Sequence, residues 1–415
     1  MLPRLLSLSL LLVSPLAGAE PGIEEVNTAC GAPIFVDENL WDDEAASVAE
    51  RLELPEESRT SDQSSYRRYP APEARFLGVR PYSQALLAGS GKPIALSLVF
   101  ANKGDAISYV SGTLANNEVA NRRGDLRENR KAITADAEAL EATLTGLFGD
   151  PSDSQLGGGR DTREKVLRWD WRGHAFLLAA PRTEYVALRV VPANSADDRG
   201  KARVADAVIK ERLSARVERR PNGDVVLRDM PMVNQGPKGY CVPATWERIM
   251  RYMGIPADMY VLAMAGGTRP GGGTSANDIA WGVRDAVVSA GRRMDRPSVK
   301  LTAPGVAKFI DQGLPLMWGM YTTKEFNDAA DGRMQERRQM TDPDVWAASL
   351  EPACKAARKW VKDPEAGHLC MVIGYNERTN ELAVSDSWGP HYAERWITPE
   401  EAKAISQGVF YVILP

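Results

Sequence analysis

The chain has 415 residues, which is enough for two folded units with tails, because single domains commonly run to about 100 to 200 residues. Its 51 basic and 55 acidic residues give a formal net charge of -4, and no long basic stretch with interleaved aromatic residues occurs. Composition and charge therefore argue against nucleic acid as a partner.

The N-terminus has the pattern of a secretory signal peptide. Arg4 precedes an apolar run over residues 5–16, and Ala17-Gly18-Ala19 supplies a small-x-small cleavage site. No cysteine follows the apolar run immediately, so a bacterial lipid anchor is not indicated. No later segment reaches the ~20 uninterrupted apolar residues that a membrane span needs. Residues 1–19 are therefore expected to be removed, leaving a secreted or periplasmic protein without an integral membrane segment.

The first half of the chain predicts a lead-in and a small domain. Residues 20–75 are polar and turn-rich, which predicts a flexible, loosely packed lead-in with a short helix near residues 42–52. Residues 76–193 predict a small α+β domain of unknown role, with a helix over an antiparallel sheet. Its strands are expected at residues 93–100, 166–171, 175–179 and 185–191, and its helix at residues 130–148, with Leu140, Leu144 and Leu147 on one face.

A charged helical connector is expected at residues 194–224, and a second domain at residues 225–415. This domain should open with a helix after Cys241 and end with strands, so that the whole chain is of the α+β class. Residues 322–366 form an insertion in which another helix or two is expected, and this charged insertion is a candidate lid.

The strongest chemical signal lies at Cys241. A loop punctuated by glycine and proline precedes it, with the sequence Asn234-Gln235-Gly236-Pro237-Lys238-Gly239-Tyr240. A helical pattern begins directly at Cys241. A lone cysteine is more often a small buried core residue. At a helix N-terminus, however, the helix dipole and free N–H groups favour the thiolate over a thiol whose ordinary pKa is about 8.5.

Gln235 precedes the cysteine across this tight loop. Its amide is therefore a candidate donor to the oxygen of a tetrahedral intermediate, together with the backbone N–H of Cys241. The pattern predicts an oxyanion hole beside a nucleophilic sulfur.

A nucleophilic thiol needs a base, and the chain has three histidines, His174, His368 and His391. Strand-like runs beginning at His368 and ending at Asp386 flank a turn at residues 376–380, which predicts an antiparallel hairpin centred on residue 377. In that register His368 faces Asp386, with Cβ atoms about 5 Å apart. The carboxylate would orient the imidazole and stabilise the imidazolium, whereas His174 is expected in a turn and His391 in a surface loop.

The other cysteines and the glycines carry weaker signals. If Cys241 stays a free thiolate, at most one internal disulfide is possible among Cys30, Cys354 and Cys370, and Cys354 with Cys370 is the pairing expected first. The glycine-rich loop near residues 266–273 lacks the strand and lysine of a phosphate-binding loop. No cofactor and no metal are expected.

The C-terminal half resembles the papain-like cysteine peptidases, and among them it is most similar to the bacterial bacteriocin-leader (double-glycine) peptidase domains. The matching motifs are Asn-Gln-Gly-x-x-Gly-x-Cys at residues 234–241, Gly-His at 367–368 and Asp-Ser-Trp-Gly at 386–389. The resemblance covers residues 225–415 and implies a papain-like fold that acts on a peptide or protein substrate. It also implies that Gln235 lies in the oxyanion hole, Cys241 is the nucleophile, His368 the base and Asp386 its orienter.

The leader peptidases are usually fused to a membrane transporter, whereas this chain has a signal-peptide pattern and no predicted membrane span. A double-glycine substrate is therefore not implied. The function expected is hydrolysis of peptide or amide bonds through a thioester intermediate. Transglutaminase-like transfer and cell-wall peptide hydrolysis remain open for the same site. So does a non-catalytic secreted binding module, in which Trp169 and Trp171 would contact a partner; the natural substrate and the oligomeric state also remain open.

Overall fold

The computed structural model describes residues 20–106, 122–181, 183–198, 204–269 and 273–415. The predicted signal peptide, residues 1–19, lies outside the described residues. Within the described ranges, none of the helices combines the length and the apolar composition needed to cross a bilayer.

The N-terminal unit, residues 20–198, is built on a large antiparallel sheet. In chain order its elements are α1 (Ile23–Cys30), α2 (Ala45–Arg51), β1 (Glu56–Arg59), β2 (Gln63–Arg68), β3 (Ser83–Gly89), β4 (Lys92–Asn102), α3 (Arg122–Phe148), β5 (Ser152–Leu156), β6 (Glu164–Trp171), β7 (His174–Ala179), β8 (Tyr185–Pro192) and α4 (Ala193–Asp197). The strand order is β1-β2-β3-β4-β8-β7-β6-β5. Every neighbouring pair is antiparallel.

Helix α3 packs on this sheet, as the apolar spacing predicts. Leu140 and Leu144 are fully buried in one core with Trp171 and Phe176 of the sheet, and Leu147 packs against the edge of that core. The helix begins earlier than predicted, at Arg122. The prediction of a helix over an antiparallel sheet is confirmed.

The prediction of a loosely packed lead-in at residues 20–75 is wrong. Val26, Phe35 and Val48 are buried in the main core of the N-terminal unit, and β1 and β2 extend its sheet. The polar composition misleads because buried polar groups in these strands bond to one another: Ser65 donates a 3.0 Å hydrogen bond to Glu57. The short helix expected near residues 42–52 is present as α2.

Trp169 and Trp171 are core residues of the N-terminal unit. Both are almost fully buried, and their indole N–H groups donate to the backbone oxygens of Gly149 and Pro21, respectively. They offer no surface to a partner, so the feature that supported a binding module is absent. The prediction that His174 lies in a turn is wrong, because this residue begins β7 and is buried.

The C-terminal unit, residues 204–415, has a second antiparallel sheet surrounded by helices. Its elements are α5 (Asp206–Ala215), β9 (Val217–Arg219), β10 (Asp224–Leu227), α6 (Cys241–Tyr252), α7 (Met259–Ala265), α8 (Ala276–Gly282), α9 (Arg284–Ser289), β11 (Arg293–Asp295), α10 (Ala303–Ile310), β12 (Leu316–Tyr321), α11 (Lys324–Arg337), α12 (Pro343–Ser349), α13 (Glu351–Ala357), β13 (Gly367–Asn376), β14 (Glu381–Ser385), β15 (Arg395–Ile397), α14 (Pro399–Ile405) and β16 (Ser406–Leu414). The strand order is β11-β16-β12-β13-β10-β9, with β14 between β13 and β15. The predicted connector is helical only in part, because β9 pairs with β10 and belongs to this sheet.

The predicted hairpin is present as β13 and β14, but its register differs from the predicted one. Met371 pairs with Ser385 and Asn376 with Glu381, with a bulge between Val372 and Gly374. The turn is therefore centred later than residue 377. Continuing this register past Ser385 would place Asp386 diagonal to His368 on the same face, within reach of a long side chain.

The insertion at residues 322–366 contains the helices α11, α12 and α13. Arg333 of α11 forms a buried ion pair with Glu401, and Arg337 forms ion pairs with Asp224 and Glu381. These contacts fix α11 to the sheet. The expectation of a lid is therefore wrong for this helix.

All four cysteines are free thiols, so the predicted disulfide between Cys354 and Cys370 is wrong. Cys370 is buried in β13, where its sulfur lies 3.4 Å from that of Met320. Cys354 lies on α13 beside Thr398 and Glu400. The two thiols belong to different layers of the unit.

Candidate active site

The loop between β10 and α6, residues 228–240, is called the nucleophile loop here. Gly236 adopts a left-handed conformation with φ of 71°, and its N–H donates to Asn234 Oδ1 at 3.0 Å. The N–H of Gln235 donates to the carbonyl of Ser387 at 2.8 Å, which holds the loop against the end of the hairpin. Helix α6 then begins at Cys241, as the sequence predicts.

His368 and Asp386 lie in direct contact. His368 is near the start of β13 and Asp386 immediately follows β14, and both side chains are buried. His368 Nε2 lies 2.8 Å from Asp386 Oδ1. The carboxylate therefore fixes the orientation of the imidazole and leaves Nδ1 free to face another group.

That other group is the sulfur of Cys241, which forms a hydrogen bond with His368. Burial acts to raise the pKa of the Cys241 thiol, but the hydrogen bond and the charge of His368 outweigh it, aided by backbone hydrogen bonds from Leu369 and Val242. The pKa of Cys241 is therefore below its ordinary value. A lowered pKa at a helix start is the environment of a reactive thiolate.

The pKa of His368 moves in the opposite direction. Burial would lower it, but the hydrogen bonds to Asp386 and Cys241 raise the pKa of His368 to about 9. At neutral pH these shifts favour the ion pair of thiolate and imidazolium over the neutral pair. This is the protonation state that a cysteine nucleophile needs.

Asp386 also contacts a buried arginine. Arg395 on β15 donates to Asp386 Oδ2 at 2.6 Å, and both side chains are completely buried. Burial acts to raise the pKa of Asp386, but His368 and Arg395 lower it, so the carboxylate is ionised. Arg395 in turn contacts Asp331 and Asn327 of α11 at 2.9 and 3.3 Å, which connects the insertion to the candidate site.

Trp388 covers the imidazole. Its ring stacks on that of His368, with centroids 4.7 Å apart and an angle of 29° between the planes. The guanidinium of Arg395 lies 5.3 Å from the centre of the Trp388 ring. Trp388 therefore limits both the movement of the imidazole and the access of water to its bond with Asp386.

Helix α6 is tied to the hairpin by buried polar side chains. Arg248 donates to the carbonyl of Pro231 at 2.7 Å and to the hydroxyl of Ser385 at 2.6 Å. Thr245 donates to the carbonyl of Leu369 at 2.9 Å. These bonds set the position of the Cys241 helix relative to the strands that carry His368 and Asp386.

Of the other residues considered from the sequence, only Gln235 lies close to Cys241 along the chain. Gln235 lies in the nucleophile loop, and its buried Oε1 has no hydrogen-bond partner among the described residues. His391 is exposed in the segment after Trp388, whereas His174 belongs to the N-terminal core. The structure thus brings together Cys241, His368 and Asp386, and it leaves the other two histidines outside the site.

Residues 227–411 match the model of the Peptidase_C39 like family. This C39-like region covers under half of the chain and includes Gln235, Cys241, His368 and Asp386. The match confirms the predicted resemblance of the C-terminal half to C39-like papain-like cysteine peptidases, and it supports peptidase activity. No curated protein matches the chain.

Within the C39-like region, sequence reasoning missed Arg395 and the role of Trp388. Arg395 stands between Glu394 and the apolar pair Trp396-Ile397, and nothing in this short run indicates that its side chain is buried. Trp388 is part of the matching Asp-Ser-Trp-Gly motif, but nothing in the spacing indicates that its ring stacks on His368. The contacts of Arg395 with α11 have no local sequence signal.

Proposed function

We propose that the protein is a secreted cysteine peptidase in which Cys241 is the nucleophile, His368 the acid and base, Asp386 the orienter and Gln235 an oxyanion donor. The proposal is carried by one observation: the buried imidazole of His368 contacts the sulfur of Cys241 and the carboxylate of Asp386. The C39-like match supports a peptide substrate.

In the first step the thiolate of Cys241 attacks the carbonyl carbon of a peptide or amide bond. Negative charge develops on the carbonyl oxygen, where the Gln235 amide and the Cys241 backbone N–H stabilise it. The His368 imidazolium gives its proton to the leaving nitrogen as the C–N bond breaks. A thioester on Cys241 and a free amine result.

In the second step water attacks the thioester. Neutral His368 takes a proton from the water, the C–S bond breaks, and the acid product leaves the regenerated thiolate-imidazolium pair. An amine in place of water would give transfer instead of hydrolysis. Mass analysis of products formed with and without an added amine therefore separates the two activities.

The proposal places this reaction outside the cytoplasm, on the basis of the signal-peptide pattern in residues 1–19. Intact-mass measurement of the protein recovered from the periplasm or the medium should give a chain that begins at Glu20. Recovery of the full-length chain in the cytoplasm would contradict export.

The test of the active site combines labelling with substitution. Iodoacetamide at mildly acidic pH should modify Cys241 before the other cysteines, because only its pKa is lowered. Cys241→Ala should reduce cleavage of a denatured protein substrate by roughly a thousandfold or more. Peptide mapping and product analysis provide the two readouts.

Cys354→Ala is the matched control, because Cys354 is also partly exposed but lies away from His368. This variant should retain full activity and full labelling of Cys241. Preferential labelling at another cysteine, or full cleavage by Cys241→Ala, would contradict the proposal.

A further inference from the structure

The nucleophile loop has no regular secondary structure, and side chains of the N-terminal unit hold its backbone. Ser58 accepts a 2.9 Å hydrogen bond from the N–H of Met232. Glu57 accepts a 2.7 Å hydrogen bond from the N–H of Asn234, and Tyr69 donates a 2.6 Å hydrogen bond to the carbonyl of the same residue. Both backbone groups of the residue before Gln235 are therefore bound by the other unit.

Tyr69 also supports the turn that follows. A Cβ atom built on Gly236 would lie 2.5 Å from the Tyr69 ring, so the ring packs directly against the left-handed glycine. Burial raises the pKa of the Tyr69 hydroxyl, which keeps it a donor. The ring and the hydroxyl together leave the Gln235 segment little room to shift.

The acceptor Glu57 is itself held in place. Its carboxylate is buried and receives hydrogen bonds from Arg67 at 2.7 Å and from Ser65 at 3.0 Å. It is therefore a fixed anchor rather than a mobile surface group.

The other end of the loop is bound in the same way. Tyr240, the residue before Cys241, is buried and donates a 3.0 Å hydrogen bond to Asn102 at the end of β4. The N–H of Gly104 donates to the Tyr240 hydroxyl at 3.2 Å. The N-terminal unit therefore contacts the loop immediately before Gln235 and immediately before Cys241.

We propose that the N-terminal unit is a positioning part of the peptidase site, whose residues Ser58 and Tyr69 hold the nucleophile loop so that Gln235 meets the developing oxyanion. This inference rests on the proposed function. It assigns a supporting role in the reaction to the N-terminal unit, for which the sequence predicts no role. The thiolate of Cys241 is set by its interaction with His368 of the C-terminal unit, so it does not depend on Ser58 or Tyr69.

Two reagents separate the oxyanion hole from the thiolate. p-Nitrophenyl acetate transfers its acetyl group to Cys241 Sγ through a tetrahedral oxyanion and releases p-nitrophenolate, so its reaction uses Gln235. Iodoacetamide alkylates the same sulfur by displacement of iodide and forms no oxyanion. The ratio of the two rate constants at Cys241 therefore reports the oxyanion hole alone.

The variants are Tyr69→Phe and the double variant Ser58→Ala/Tyr69→Phe in the full chain. Acylation by p-nitrophenyl acetate should fall about tenfold in the double variant and less in the single one, because a misplaced donor loses most of its effect. Alkylation by iodoacetamide should stay within about twofold of wild type. Tyr185→Phe is the matched control, since it removes another buried tyrosine hydroxyl of the same unit whose partner is Glu164, and it should leave the ratio unchanged.

An unchanged ratio in the double variant would overturn the inference, and so would a parallel fall of both rates, which indicates general loss of structure. If neither reagent modifies Cys241 in the wild type, the proposed peptidase site itself is wrong, and the inference falls with it. The wild-type and variant measurements thus distinguish the two failures.

Discussion

At the scale of single residues, Asp386 contacts two basic side chains, one through each carboxylate oxygen. Oδ1 holds the imidazole of His368, and Oδ2 holds the guanidinium of Arg395. An isolated buried carboxylate would tend to take up a proton, but the two partners keep it charged. The charge that orients His368 therefore depends on Arg395 as well.

The alkaline limit of hydrolysis should depend on Asp386. In the wild type, activity should fall as pH rises through about 9, because His368 then loses the proton that it gives to the leaving amine. Asp386→Asn removes a charge that raises this pKa, so the limit should move to lower pH by about one unit or more. The pH profile of kcat/KM measures it, with Asp331→Asn as a control that leaves the contact to His368 in place. An alkaline limit that stays at the same pH in Asp386→Asn would contradict this role.

Arg395→Met should lower the free energy of unfolding by about 3 kcal/mol at pH 7, because it leaves Asp386 buried with half of its partners. The folded-state pKa of Asp386 is depressed, so its stabilisation is present above about pH 4 and is lost as pH falls through the folded-state pKa. Without Arg395 the folded-state pKa is less depressed, so the loss should still begin at about pH 4 but should be smaller and complete at a higher pH. Denaturant unfolding at several pH values measures both effects.

Arg378→Ala is the control for Arg395→Met, since its ion pair with Asp344 is exposed and should contribute little. Equal losses of unfolding free energy in the two variants would contradict the prediction, because the buried ion pair with Asp386 would then contribute no more than an exposed one.

The sequence predicted the residues of the candidate site better than it predicted their geometry. The helix start at Cys241 and the pairing of the strands next to His368 and Asp386 follow from local patterns. The register does not, because the bulge lies where β13 passes from pairing with β12, up to Val372, to pairing with β10, from Gly374, and no local pattern encodes this change. Arg395 was missed because no local pattern marks its side chain as buried, and its partners Asn327 and Asp331 lie far away in the chain.

At the scale of elements, the buried charges of α11 decide where the insertion sits. Arg337 pairs with Asp224 on β10 and with Glu381 on β14, and its guanidinium lies 3.7 Å from the centre of the Trp396 ring. A charged helix usually faces solvent, which is why the sequence suggested a lid. In this fold the charges face one another across the sheet edge.

Arg337→Met should therefore destabilise the protein by about 3 kcal/mol, since it removes the guanidinium that pairs with both buried carboxylates, Asp224 and Glu381. Lys324→Ala on the same helix removes an exposed ion pair with Asp328 and should leave stability nearly unchanged. Chemical denaturation of both variants measures the difference. Similar stabilities for Arg337→Met and wild type would mean that α11 is not anchored by these pairs.

Prediction of the elements succeeded where apolar periodicity is strong and failed where polar groups are buried. The strands β6 to β8 and helix α3 follow from alternating or helical spacing. Strands β1 and β2 carry glutamates, serines and arginines, so composition predicts a loose segment. Their tertiary partners, among them the nucleophile loop, are invisible to a local pattern.

At the scale of the whole molecule, the two units share a hydrophobic core. Val99, Leu177 and Tyr185 of the N-terminal sheet lie in one cluster with Tyr240 and Ala244, on either side of Cys241. The prediction of two separate domains joined by a connector gives only the order of the two units along the chain. It does not capture this common core, because contacts between distant segments leave no mark in composition.

The two units should consequently unfold together as one cooperative unit. Differential scanning calorimetry of residues 20–415 should give a single transition, because loss of either unit exposes the shared core around Tyr240 and Ala244. Two well-separated transitions would show that the interface contributes little to stability.

In the proposed site, His368 keeps Cys241 as a thiolate. The most direct measurement is the thiolate ultraviolet absorbance as a function of pH, taken as the difference between the wild type and Cys241→Ser. We predict a titration below the ordinary thiol pKa of about 8.5, which moves upward in His368→Ala. A difference spectrum that titrates at or above 8.5, or that is unchanged by His368→Ala, would contradict the account.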